Sequence, residues 1–97
     1  VIERQRLDFQ RAAAITYWAW VAAGQRLDVA EQLVRLAVDR DDQLKRRVEV
    51  GPVAKIERVD NQQNIALRNG VLVQAQRAFQ QASIELSLFL RDEGGHP

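Results

Sequence analysis

The chain has 97 residues and a nearly balanced charge, with 14 Lys and Arg against 13 Asp and Glu. This balance gives no argument for binding to nucleic acid or to an anionic membrane surface. Cysteine is absent, which excludes disulfides and thiolate metal sites. No apolar run approaches the roughly eighteen residues of a membrane-spanning helix, and the first residues do not resemble a signal peptide. The length corresponds to a single domain or to a piece of one. The missing initiator Met leads us to expect a segment of a longer protein.

Two long helices are predicted from the composition, which is rich in Ala, Leu, Gln, Arg, Glu and Val and poor in Gly and Pro. The first helix is predicted over residues 2–49. The pair Gly51-Pro52 is the strong breaker of the pattern, so the turn is predicted over residues 50–54. The second helix is predicted over 55–91 and is followed by a short tail, 92–97.

Both predicted helices carry a stripe that repeats every seven residues, in alternating steps of four and three. In the first helix the stripe contains Ala23, Leu27, Ala30, Val34, Ala37, Asp41, Leu44 and Val48. In the second helix it contains Ile65, Arg68, Leu72, Ala75, Phe79, Ala82, Leu86 and Phe89. Such a repeat indicates left-handed supercoiling. The predicted fold class is therefore all-α, a long antiparallel two-helix coiled-coil hairpin.

Asp41 and Arg68 are the charged interruptions of these two stripes. With a turn centred near residues 52 and 53, the numbers of facing residues add to about 105. Arg68 then lies near Ala37, one helical turn from Asp41. Two hypotheses remain open: the two side chains form a pair that sets the register of the hairpin, or both extend to solvent.

Each helix also carries a second apolar edge. The residues of this edge are Val29, Leu33 and Leu36 in the first helix, and Leu67, Val71, Ala78 and Leu88 in the second. A two-helix hairpin covers only one stripe per helix, so we expect packing into a four-helix bundle or a helical barrel. The isolated chain is expected to self-associate as a dimer or larger oligomer. Gly24 and Gly70 lie inside the helical patterns, at about 1 kcal/mol each relative to Ala, and are expected to mark close approaches between helices.

The polar and aromatic clusters of the chain do not form an enzyme motif. The aromatic cluster at 17–20 has its two Trp residues on different faces of the helix, and we interpret it as packing rather than as a ligand site. The acidic cluster at 39–42 is interpreted as an exposed charge lattice rather than a cation site. His96 has no predicted partner. The chain is therefore predicted not to be an enzyme and to need no cofactor or metal.

Three segments together resemble the TolC-like outer-membrane efflux channels. They are YWAWVAAGQRLDVAEQLVRLAVDR (17–40), RRVEVGPVAKIERVDNQQ (46–63) and AFQQASIELSLFLRD (78–92). In that family each protomer carries two such hairpins, and three protomers build a helical barrel across the periplasm of a Gram-negative bacterium. The resemblance implies that this chain is a periplasmic part of an outer-membrane protein. It also implies a role in forming the wall of an export conduit.

The resemblance further implies that Val50, Gly51, Pro52 and Val53 form the tip that docks the periplasmic adaptor protein of a multicomponent efflux pump. Gly51 is expected to supply a backbone conformation that a residue with a Cβ resists. Pro52 is expected to end the first helix. Position 54 is Ala where many relatives carry Ser or Thr, so the second helix is expected to have a weaker N-cap.

Two other functions remain open. The helical hairpin of a periplasmic adaptor (membrane fusion) protein also has a Gly-led apolar tip, and GPVAKIERVD (51–60) is similar to it. The aromatic YWAW (17–20) and the LSLFLRD stretch (86–92) are not expected there, because an adaptor hairpin runs into strand sequence at both ends. A plain coiled-coil scaffold explains the seven-residue repeats but does not explain the apolar turn.

Overall fold

The fold is a hairpin of two long antiparallel helices, seen in a computed structural model that describes residues 2–47 and 51–93, with side chains as far as Arg91. Helix α1 is Ile2–Arg47 and helix α2 is Pro52–Glu93. The hairpin measures 73 × 22 × 14 Å, and neither described range contains a β-strand. Neither of these helices is long and apolar enough to cross a membrane. The predicted all-α two-helix hairpin is confirmed, and its packing into a bundle or barrel stays a prediction.

The boundaries of α2 differ from those predicted. The helix begins at Pro52, three residues before the predicted start, and ends at Glu93 rather than at residue 91. Proline is favoured at the first position of a helix, because the N–H that it lacks has no partner there and its φ already suits the helix. Pro52 therefore opens the second helix. Residues 48–50, which contain the predicted end of the first helix and Val50 of the turn, lie outside the described residues, as does the tail from 94 to 97.

Alanine occupies most of the fully buried positions between the helices. The buried residues of α1 are Ala23, Ala30, Ala37 and Leu44, which are 3–5% exposed and spaced by seven. All other residues of the two predicted stripes, within the side chains described, are half-buried except the buried Ala82. Small side chains let two helices approach closely, and they bury little apolar area in each layer. The hairpin therefore leaves most of its large apolar side chains outside this interface.

The register of the hairpin follows from three contacts across it. The ring centroids of Phe9 and Phe89 are 5.8 Å apart, and those of Trp20 and Phe79 are 6.1 Å apart. The Arg58 Nε atom lies 3.3 Å from the Asp41 Oδ1 atom. The residue numbers of each of these pairs add to 98 or 99, rather than to the predicted 105 or so. Each residue of α1 thus faces a residue of α2 that is about six residues, or about 9 Å, nearer the turn than predicted. The start of α2, three residues earlier than predicted, accounts for about half of this shift.

The two glycines inside the helices have different surroundings. A Cβ added at Gly24 would lie 3.2 Å from the Phe79 Cε1 atom, which confirms the predicted close approach. A Cβ added at Gly70 would meet no atom within 4 Å. The prediction of a close approach at Gly70 is wrong within this hairpin, because Gly70 is exposed on the outer side of α2.

Candidate docking surfaces

The end of the hairpin that carries the turn bears an exposed apolar patch. Val53 is 67% exposed and Ile56, one helical turn later, is 64% exposed. Pro52 is also exposed. A shallow hollow of about 420 Å³ lies beside them and is bordered by the charged side chains of Arg47 and Glu57. This apolar tip with a charged border is the first candidate docking surface.

The hairpin leaves space for a side chain at Gly51, since a Cβ added there would meet no atom within 4 Å. The expectation that its backbone conformation resists a side chain stays a prediction.

Asp41 forms its ion pair with Arg58, at 3.3 Å between Oδ1 and Nε. The predicted Asp41–Arg68 pair is wrong, because Arg68 lies ten residues, or about 15 Å, further along α2 than the true partner. The register established above places Arg68 at the level of Ala30. The side chains of Asp41 and Arg58 are 19% and 31% exposed. The pair is thus only partly shielded from solvent, so its contribution to stability is small.

Asn61 is a register residue that the sequence analysis missed. It is 5% exposed, and its Nδ2 atom donates a hydrogen bond to the Ala37 carbonyl oxygen at 2.8 Å. A buried Asn in a coiled-coil seam favours one register, since a shifted pairing leaves its amide without a partner. The signal was present in the sequence: continuing the stripe of α2 from Ile65 towards the turn, in steps of four and three, reaches Asn61 and then Arg58.

We expect a double-mutant cycle to separate the observed pair from the predicted one. Combining Asp41→Asn with Arg58→Gln should give a coupling energy of about 0.5–1 kcal/mol. Combining Asp41→Asn with Arg68→Gln should give a coupling close to zero, because the two sites are too far apart to interact. Urea unfolding of the four variants in each cycle provides the measurement. Equal coupling in both cycles would contradict this register.

A groove on one face of the hairpin is the second candidate docking surface. It has a volume of about 640 Å³ and lies between the helices. Its lining is mainly apolar, with Ala22, Ala23, Val29, Ala30, Leu33, Val71, Ala75 and Ala78, and it also contains Gln25, Arg26 and Gln74. Leu36 and Leu67, which are 63% and 71% exposed, lie seven residues from the lining residues Val29 and Gln74 and hence on the same face. The two second apolar edges predicted from the sequence thus meet on one side of the molecule, which we call the groove face.

The end of the groove face nearer the turn is charged. Arg40 of α1 and Glu57, Asp60 and Asn64 of α2 line a smaller hollow of about 290 Å³, together with Asn61. Arg40 lies seven residues after Leu33, which places it on the same face as the groove. The groove face therefore combines an apolar middle with a patch that carries both signs of charge.

The aromatic cluster packs inside the hairpin through one of its two tryptophans. The Trp20 ring stacks on Phe79, and its Nε1–H donates a hydrogen bond to the Ser83 Oγ atom at 3.0 Å. Trp18 is 65% exposed, and Tyr17 contacts both Trp rings. The prediction that the two tryptophans lie on different faces is confirmed.

The acidic cluster at 39–42 gathers no ligand set. Asp41 is bound to Arg58, whereas Asp39 and Asp42 are exposed. Within residues 2–47 and 51–93, no group of three or more His, Cys, Asp or Glu side chains is arranged to hold a metal ion. The surfaces that remain as candidates for function are the apolar tip and the groove face.

Comparison with protein-family models, with curated proteins and with solved structures gave no match. Function is therefore inferred from the resemblance described above and from the surfaces of the hairpin.

Proposed function

We propose that the chain is a periplasmic helical hairpin of a TolC-like outer-membrane export channel. In this role it forms part of the wall of the conduit and carries the adaptor-docking tip. The proposal starts from the resemblance of residues 17–40, 46–63 and 78–92 to that family. It is carried by the apolar stripes that the hairpin leaves uncovered on both helices.

On α1 this stripe consists of Ile15, Ala22, Val29 and Leu36, spaced by seven. Ile15, Val29 and Leu36 are 70%, 53% and 63% exposed. A hairpin that works as a free rod in water gains nothing from such a stripe, since exposed apolar surface favours association. A helix in a wall has a second neighbour to cover it.

On α2 the second apolar edge contains Leu67, Val71, Ala78 and Leu88, interrupted by Gln74 and Gln81. Leu67, Val71 and Leu88 are 71%, 48% and 52% exposed. Both helices therefore have an apolar edge outside the hairpin seam, as is needed in a barrel built from several hairpins. In the proposed full-length protein, three protomers supply those hairpins.

The proposed mechanism is passive conduction. The packed hairpins enclose the conduit, and small shifts of their tips open or close it, in the manner of elements that slide or rotate about packed interfaces. This role involves no chemical reaction. It needs only the shape of the hairpin, its packing against neighbours and a docking surface.

The apolar tip is the proposed contact with the adaptor protein. Pro52, Val53 and Ile56 are exposed in the hairpin and would become buried against the partner, with Arg47 and Glu57 at the border of the contact. An adaptor hairpin is the second candidate function, because its own apolar tip would fit the same observation. The two functions differ in the neighbours that the hairpin requires. Only a channel hairpin, which is part of a wall, needs neighbouring helices along the full length of both of its helices.

Val53→Asp in the full-length protein tests the docking role of the tip. Helicity, trimer assembly and membrane insertion should stay close to wild type, because Val53 is largely exposed in the hairpin. Crosslinking to the adaptor and export should each fall about tenfold, since a carboxylate would have to lose its water at the contact.

Val73→Asp is the matched control for this experiment. Val73 is also an exposed valine of α2, at 43%, and it lies about 30 Å from Val53 along the helix. Its replacement should leave adaptor crosslinking and export within about twofold of wild type. Normal export by the Val53→Asp protein at native adaptor levels would contradict the docking role and favour a plain coiled-coil scaffold.

A further inference from the structure

We propose that the groove face is a homodimer interface, in which a second copy of this hairpin packs face to face with the first and both tips point the same way. The proposed channel function does not depend on this homodimer, and the homodimer does not depend on the proposed channel function. In a wall the chain would be surrounded by other hairpins, whereas the isolated chain meets only its own copies. The shape, the charge and the area of the groove face each indicate that its occupant is a second copy of the hairpin.

The apolar middle of the groove face is complementary to itself. A two-fold axis parallel to the hairpin, lying between the two copies, places α1 of one copy over α2 of the other at the same level. By the observed register, Val29 and Leu33 then lie over Val71 and Leu67 of the second copy. The alanines along the groove leave room for these larger side chains, as in a four-helix bundle.

The charged end of the groove face selects this orientation. With both tips at the same end, Arg40 of each copy lies over Glu57 and Asp60 of the other, so opposite charges meet twice. With the tips at opposite ends and the apolar middles centred on Leu33, Arg40 instead lies over Arg26 of the second copy. Like charges placed opposite each other at an interface are strongly unfavourable, and the same-end arrangement is therefore preferred.

The area of the groove face is sufficient for a stable dimer. From Glu57 to Ala78 the face is about 32 Å long, and the hairpin is 22 Å wide. This footprint is roughly 700 Å² for each copy, close to the ~800 Å² that each partner buries in a typical specific complex.

A distance measurement between labelled copies tests the orientation without disturbing the interface. The chain has no cysteine, so Gln10→Cys provides a single spin-label site on an exposed residue far from the turn. The same-end dimer predicts a label separation of about 25–40 Å, because each of the two stacked hairpins is 14 Å thick and helices pack about 10 Å apart. The opposite-end dimer predicts about 70 Å, because Gln10 lies 23 residues from Leu33 in each copy. A 70 Å distance, or no intermolecular distance at about 100 µM chain, would overturn the proposal.

A matched pair of variants tests the face. Val71 lines the groove and Val73 does not, although their exposures are similar, at 48% and 43%. Val71→Asp should raise the dimer dissociation constant about a hundredfold, since it buries two carboxylates at the interface. Val73→Asp should change it by less than about threefold. Sedimentation equilibrium gives both constants, and circular dichroism verifies that each variant is helical. Equal effects of the two changes would overturn the assignment of the groove face.

A charge exchange tests the pairing of Arg40. Arg40→Glu alone, and the double change Glu57→Arg with Asp60→Arg alone, should each weaken the homodimer about tenfold or more through repulsion. An equimolar mixture of these two variants should form a heterodimer of near wild-type affinity, because both charged contacts regain opposite signs. A mixture that dimerises no better than its separate components would overturn the proposed pairing.

Discussion

Replacing Trp20 by alanine should lower the free energy of unfolding by about 3 kcal/mol, the largest loss expected from a single aromatic side chain of this hairpin. Trp20 reaches across the interface to stack on Phe79, and its indole N–H donates to Ser83 of the opposite helix. The substitution removes a large apolar contact and leaves the Ser83 hydroxyl without this donor. The buried seam residues at this level, Ala23 and Ala82, have short side chains that cannot fill the space.

Trp18→Ala is the matched control, since it removes the same side chain two residues away. Trp18 is 65% exposed, so its loss should cost less than about 0.5 kcal/mol in the isolated hairpin. Urea unfolding followed by circular dichroism, at one low micromolar concentration for all variants, measures both values. Equal losses for the two variants would mean that Trp18 is covered by another molecule in solution, which would contradict its exposure in the hairpin.

The hairpin was predictable because it depends on local and periodic features of the sequence. The seven-residue spacing of Ala23, Ala30, Ala37 and Leu44 identifies the buried side of α1 without knowledge of its partner. The same stripe logic identified the half-buried residues of α2 from Ile65 onwards. A periodic pattern specifies which side of a helix is covered, and this is the part of the fold that the sequence analysis obtained correctly.

The register was not predictable in the same way, because it depends on where one helix ends and the next begins around the turn. Proline is compatible both with the end of one helix and with the first residue of the next. Assigning Pro52 to the turn placed the start of α2 three residues, or about 4.5 Å, too late, which is about half of the error in register. The error in register led directly to the wrong partner for Asp41.

The groove face was predictable only as two separate edges. The residues Val29, Leu33 and Leu36 were recognised on one helix, and Leu67, Val71, Ala78 and Leu88 on the other. Their convergence on one face depends on the register and on which flank of each seam they occupy, and neither is a local property of the sequence. Gly70 shows the related limit: a glycine in a helix indicates a close approach only if a neighbour is actually there.

Asn61→Asp should destabilise the hairpin by about 2–3 kcal/mol at neutral pH. The change keeps the shape of the side chain but removes the amide donor. It places a carboxylate against the Ala37 carbonyl oxygen, where the Asn61 amide now lies at 2.8 Å and is 5% exposed. Arg58 is one turn away on the same helix but is already engaged by Asp41, so the two carboxylates would compete for one guanidinium.

Two controls separate the buried charge from simple loss of the hydrogen bond. Asn61→Ala removes the amide without adding a charge and should cost about 1 kcal/mol. Asn69→Asp makes the same chemical change at an exposed position of α2 and should cost less than about 0.5 kcal/mol. The expected order of destabilisation is therefore Asn61→Asp, then Asn61→Ala, then Asn69→Asp, measured by urea unfolding.

The pH dependence of the Asn61→Asp variant provides the decisive test. A protonated carboxyl group has an O–H to donate to the Ala37 oxygen, so the folded state should favour the protonated form more than the unfolded state does. The folded state then binds more protons, and linkage requires the stability of the variant, relative to wild type, to rise as the pH falls. The deficit should therefore shrink between about pH 7 and pH 4. A deficit that stays constant or grows over this range would show that the side chain at position 61 does not face the Ala37 carbonyl, and that the register of the hairpin is set elsewhere.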